Sequence, residues 1–200
     1  MNSASVFVDG GPFYDALHAR ACSVDIDYAA LANTLAAPAE TTAMSYYMSL
    51  IPAEPYPART RHHRAVLDMV RSQGFEVRTG RTEVVYSAFI ERGVEALMST
   101  DIVRTATTTD VDTIVLVSQR PELLPAVEAA QAAGKTVRVA YFVNRFEPSP
   151  SELADAADVF TEITVDDILA LPLIGPTRHR VVGHAASQLA AAGVGQTPPE

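Results

Sequence analysis

Apolar positions along this chain fall into two rhythms: short runs that suit strands and three-to-four spacing that suits helices. The first run, residues 5–8, ends at Asp9-Gly10-Gly11. Pro12 follows where a helix tolerates it, because the first helical N–H has no partner to lose. Phe13, Ala16, Leu17 and Arg20 continue at helical spacing. A short helix is predicted over 28–35 and a strand over 43–51, after which Pro52, Pro55 and Pro57 break the chain. Val66, Met69 and Val70 predict the buried stripe of a helix over 59–73, closed by Gly74. Residues 75–78 alternate as a strand, and 82–89 is expected to pair with it as a hairpin across Gly80.

The second half repeats the alternation. Val94, Leu97, Met98, Ile102 and Val103 predict a helix over 93–107. Residues 113–117 are continuously apolar, which suits a central parallel strand buried on both faces. A helix over 121–133 ends at Gly134, and a strand follows over 136–142. Pro148-Ser149-Pro150-Ser151 opens a short helix over 152–157, before a short strand at Val159-Phe160 and a helix over 165–169. Residues 1–170 therefore read as one domain, and 171–200 as a loosely ordered Pro/Gly/Ala-rich tail. Strands alternating with helices predict an α/β fold, a three-layer sandwich around a mostly parallel central sheet. Ligands of such sheets sit outside the carboxyl ends of the strands, near a switch in strand order. The polar strand ends are Asp9, residues 118–122, and Asn144 with Arg145.

Composition narrows the partners. With 48% apolar and 20% charged residues, the 200-residue chain is globular in character. Its net charge of −9 disfavours nucleic-acid binding through a basic surface, though not through a local basic groove. The single cysteine, Cys22, excludes an internal disulfide framework and a cysteine-based zinc site. No apolar run approaches the roughly 20 residues of a membrane span, and residues 1–5 lack signal-peptide character. A cytoplasmic location with no membrane partner is expected, and a homodimer is compatible with the sequence.

Five stretches occur in an order and spacing that resemble a known family. They are Val6-Phe7-Val8-Asp9-Gly10-Gly11-Pro12-Phe13-Tyr14, then the segment from Arg92-Gly93-Val94-Glu95 to Asp101, then Val115-Leu116-Val117-Ser118-Gln119-Arg120-Pro121-Glu122-Leu123-Leu124-Pro125. Gly134-Lys135-Thr136-Val137 and Leu153-Ala154-Asp155-Ala156-Ala157-Asp158-Val159-Phe160 complete the set. Over residues 5–170 the chain resembles the NYN domain, a branch of the PIN-like metal-dependent nucleases. The resemblance implies carboxylates that hold Mg²⁺ or Mn²⁺ for phosphodiester hydrolysis, at positions corresponding to Asp9, Asp101 and Glu122. Such chemistry needs hard oxygen ligands from neighbouring strand ends.

The chain departs from the family pattern where that chemistry sits. Asp9 and Asp101 are retained, but Pro12 replaces an asparagine, Arg92 a lysine and Glu95 an aspartate. In the central motif Gln119 replaces glycine, Arg120 the first aspartate and Glu122 the second. Arginine cannot ligate a metal. A guanidinium about 4 Å from a dication repels it by about 8 kcal/mol at an effective dielectric near 20. No metal is therefore expected, and Arg120 is expected to pair with Asp9 or Glu95.

The first reading is an NYN-fold protein whose crevice has been repurposed for a small polar or anionic ligand. Asp9, Glu95, Asp101 and Glu122 are its candidate catalytic residues, and Tyr14, Arg92, Ser118 and Arg120 its candidate ligand-binding residues. A residual Mg²⁺- or Mn²⁺-dependent ribonuclease is the second reading, and a non-catalytic interaction module the third. A strand-end aspartate also serves haloacid-dehalogenase-type phosphatases, but Phe7 stands where their nucleophile would. His62 and His63, beside Arg59, Arg61 and Arg64, read as a solvated helix face before an anion-binding or acid–base patch. Tyr46, Tyr47 and Tyr86 are open between core and pocket wall.

Overall fold

The computed structural model describes residues 2–20, 22–86, 88–143 and 152–171. The expectations for Asn144, Arg145, the 148–151 helix start and the tail beyond Leu171 lie outside these residues. Seven strands form one sheet: β1 (Ser3–Asp9), β2 (Glu40–Leu50), β3 (Glu76–Val85), β4 (Ala88–Arg92), β5 (Thr113–Val117), β6 (Thr136–Tyr141) and β7 (Val159–Glu162). Their spatial order is β4-β3-β2-β1-β5-β6-β7. Every neighbouring pair is parallel except β3 with β4. The apolar strand β5 lies centrally against β1, with Val6 opposite Val115, as its sequence predicts.

Helices cover both faces. They are α1 (Gly10–Ala19), α2 (Tyr28–Ala36), α3 (Pro57–Ser72), α4 (Val94–Thr108), α5 (Leu124–Ala132), α6 (Glu152–Ala156) and α7 (Val165–Ala170). The period of two in β1 divides its side chains between two cores. Val6 and Val8 pack with Leu17 of α1, Leu31 of α2 and Val66 of α3. Phe7 packs on the other face with Met98 of α4 and Val127 of α5. Full burial of each such side chain contributes about 1.5–3 kcal/mol, so the sheet is held from both sides. This is the three-layer α/β sandwich expected. No helix among the described residues is long and apolar enough to cross a membrane.

One expectation is corrected. β3 does not turn at Gly80. It runs straight through to Val85, and the hairpin to β4 follows, with Tyr86 at φ 47°. Gly80 serves close approach instead: a Cβ there would lie 2.6 Å from the Arg92 carbonyl oxygen and 2.8 Å from a Val94 methyl. The longer hairpin carries β4 back towards the carboxyl end of the sheet.

From β1 the chain builds outward through β2, β3 and β4, then crosses by α4 to β5 on the other side of β1. The strand order reverses between β1 and β5, and that is where a crevice opens in an α/β sheet. Gly10, at the start of α1, lets that helix approach β2. A Cβ at Gly10 would lie 2.2 Å from the Tyr46 ring and 2.7 Å from the Tyr47 carbonyl oxygen. Gly10→Ala should therefore lower unfolding free energy by about 1–3 kcal/mol in urea denaturation, the usual cost of overpacking. An unchanged midpoint would show that the α1–β2 contact is looser than described.

Candidate functional site

Asp9 ends β1 and is 0% exposed. Ser118 Oγ, just beyond β5, donates to Asp9 Oδ2 at 2.8 Å, and Arg120 Nε donates to the same oxygen at 2.7 Å. The Arg120 backbone N–H donates to Ser118 Oγ at 3.2 Å, which fixes the loop between them. Arg120 Nη1 donates to Glu95 in the first turn of α4, and Nη2 donates to Glu91 on β4. One guanidinium thus joins three carboxylates carried by β1, β4 and α4. Glu91 is itself held by Ser49 of β2, whose hydroxyl donates at 2.7 Å, and Thr82 of β3 donates to that hydroxyl at 2.9 Å.

Burial pushes the Asp9 carboxyl up to about 6, with Arg120 and Ser118 opposing the rise and Glu91 adding to it. Burial alone would weaken the Arg120 cation, but Asp9, Glu91 and Glu95 more than offset it and raise its proton affinity. Asp9 Oδ1 is buried and has no hydrogen-bond partner among the described residues.

Beside Arg120 and Glu91 a groove of about 780 Å³ runs between α1 and α3. Tyr14 Oη and His62 Nε2 share a hydrogen bond of 2.7 Å whose direction depends on the histidine tautomer. His18 and His63 line the same groove, with Met48, Ile51 and Phe89 as its apolar part.

Of the candidate residues, Asp9, Glu95, Ser118 and Arg120 come together, and Tyr14 stands in the adjoining groove. Three do not join them. Asp101 lies six residues beyond Glu95, about 120° round a helix with 3.6 residues per turn. It is buried instead against β2 and β3, bonded to Tyr47 Oη at 2.9 Å and paired with Arg104 at 2.8 Å and Arg78 at 3.4 Å. Arg92 is paired with Glu83 at 3.1 Å on an exposed face, because adjacent residues of a strand point to opposite sides. Glu122 is exposed on the 3₁₀ turn before α5 and makes no polar contact among the described residues.

Strand alternation gives the crevice position to Glu91, which sequence reasoning missed. Its signal was the glycine pair after Asp9. A Cβ at Gly11 would lie 2.8 Å from Glu91 Oε1, so Gly11 leaves room for that carboxylate. Ser49 and His18 were also missed, and His62 and His63 prove to line the groove rather than a wholly solvated face.

The sequence pattern of the NYN domain matches residues 3–166. The chain belongs to the NYN domain family. This family is part of the PIN-like nuclease superfamily. Among solved structures the NYN domain is similar to a protein of unknown function from Vibrio parahaemolyticus, at TM-score 0.63 and 22% identity. The match covers 86% of this chain and 96% of the other, and speaks for the fold. No curated protein matches.

The donor set of this NYN domain does not fit the divalent metal of its superfamily. Asp9 Oδ1, buried and unpartnered, suits a cation. The carboxylates that would join it, Glu91 and Glu95, are spread around the Arg120 guanidinium instead. Among the described residues no three His, Cys, Asp or Glu side chains converge to hold a metal.

The buried carboxyl makes stability depend on pH. Between about pH 4 and about pH 6 the unfolded Asp9 has lost its proton while the folded one retains it, so stability falls as pH rises. Asp9→Asn, fixed in the neutral form, should gain on the natural sequence by up to about 3 kcal/mol between pH 4 and pH 7. Paired urea titrations across that range check this, and a constant difference would show that Asp9 ionises freely.

Proposed function

We propose that this NYN domain uses its crevice to hold a small polar or anionic ligand without a divalent metal. The observation that carries this reading is the Arg120 guanidinium, ion-paired at once with Asp9, Glu91 and Glu95. Three of its five N–H donors are committed, and two remain for a ligand. Asp9, with its carboxyl raised to about 6, is the group suited to exchange a proton near neutrality. Glu95 is held as its partner across Arg120. The groove volume is that of a small-molecule site.

A metal-dependent ribonuclease is the second reading, favoured by the unpartnered Asp9 Oδ1 in a nuclease superfamily. Calorimetric titration with Mn²⁺ and an assay on labelled RNA separate the two. Binding only in the millimolar range, with no cleavage above background, is expected. Arg120→Asp should strengthen Mn²⁺ binding by freeing the carboxylates. Micromolar Mn²⁺ binding by the natural sequence, lost in Asp9→Ala, would overturn the metal-free reading and favour the ribonuclease.

A further inference from the structure

Opposite the Arg120 cage the groove has a wall of different chemistry. α1 supplies Tyr14 and His18, one turn apart. α3 supplies Arg59, His62 and His63, whose spacing of three and four residues puts them on one stripe. The ring centroids of His18, His63 and His62 lie 4.4, 5.5 and 6.0 Å from that of Tyr14. Arg59 lies 5.0 Å over the Phe89 ring and forms no ion pair among the described residues. His63 Nδ1 is shielded from solvent and has no hydrogen-bond partner among the described residues.

This wall offers N–H and O–H donors from two helices. The groove's carboxylates are Glu91 of β4 and, on α1 beside Tyr14 and His18, Asp15, whose proton affinity burial and Glu91 raise. We propose that Arg59, His62 and His63, with Tyr14 and His18, form a phosphate site for a small phosphate monoester. A phosphate group carries close to two negative charges and three strong acceptor oxygens, which matches several N–H donors from two helices. The organic part of the ester would lie on Phe89, Met48 and Ile51, the apolar side of the groove. A compact dianion suits this chain better than a long polyanion, because the net charge of −9 repels the latter. The inference rests on the crevice being a small-anion site, and names the anion.

Proton linkage follows from the same geometry. Burial lowers the proton affinity of the His63 imidazole, His62 and Arg59 of α3 and His18 of α1 lower it further, and Glu91 of β4 opposes them. Tyr14 faces the same ring as a neutral phenol. A bound dianion reverses this balance, so binding takes up a proton and affinity falls as pH rises.

Calorimetry of the full chain in chelator tests the site with three probes: inorganic phosphate, phenyl phosphate and benzoate. Phenyl phosphate should bind more tightly than phosphate, and its affinity should fall between about pH 7 and about pH 8, where the ester is already a dianion and only the site loses protons. Arg59→Ala and His63→Gln should each weaken phenyl phosphate about tenfold. The imidazole NMR signals of the natural chain should move on phosphate titration, a readout independent of variant folding. Binding of benzoate alone would overturn the phosphate site and leave the crevice reading standing. Phosphate binding unaltered in both variants, with imidazole signals unmoved, would also overturn it. Failure of all three probes, together with micromolar Mn²⁺ binding, would overturn both readings.

Discussion

The Arg120 guanidinium adds a side-chain tie between three elements that strand pairing and helix packing already bring together. Asp9 ends the innermost strand, Glu91 rides on the antiparallel edge strand, and Glu95 opens the helix that crosses to the other half of the sheet. Asp9 has no access to solvent, so its charge is tolerated only with a cation against it. Arg120 meets that need with a side chain 20% exposed, which keeps its Coulomb attraction strong and its desolvation partial. An ion cluster of this kind need not make the fold more stable than an apolar plug would. Removing one partner, however, leaves charge buried without compensation, at a cost of about 3–5 kcal/mol. The cluster therefore fixes geometry more firmly than it adds stability.

Much of this architecture was legible in the sequence, for reasons that differ between elements. The 113–117 run identified β5 as central because a strand buried on both faces has no polar alternation. Asp9, Ser118 and Arg120 were legible because they sit next to strand ends, where position alone brings side chains to the crevice. Residues further from a strand end were not. Gly80 looked like a turn because glycine serves tight turns and close backbone approach equally well, and only the third dimension tells which. That ambiguity misplaced the hairpin. Arg92 was chosen from the family pattern, and strand alternation gives its place at the crevice to Glu91. Asp101 came from the family pattern, and the roughly 120° that separates it from Glu95 on the helix turns it towards Tyr47, Arg78 and Arg104 instead of Arg120.

The family resemblance read the fold correctly while saying less about the chemistry, since function resides in sites and not in folds. The substitutions are mutually consistent. An arginine at position 120 brings a cation where a dication would otherwise be held, and acids at 9, 91 and 95 gather round it. Oxygen donors that would converge on a point ion at about 2 Å are instead spread around a planar fork. The same acids cannot serve both geometries at once, so loss of metal fit is a property of the whole set and not of one residue.

Glu91 links this cage to the groove beside it. It bonds Arg120 and Ser49, and its charge raises the carboxyls of Asp9 and Asp15 while supporting a proton on His63. With Arg120 in place, much of that negative charge is already satisfied, so the neighbouring wall of imidazoles and Arg59 meets a weakened counter-charge. An anion entering the groove is then repelled less by Glu91 than a bare carboxylate would repel it. Were Arg120 absent, Glu91 would line the groove beside Asp15 with no guanidinium against it, and an entering anion would be repelled more strongly. Arg120 therefore acts in two places: with its neighbours it spreads the acids that a metal would need to converge, and it offsets the negative charge that Glu91 turns towards the groove.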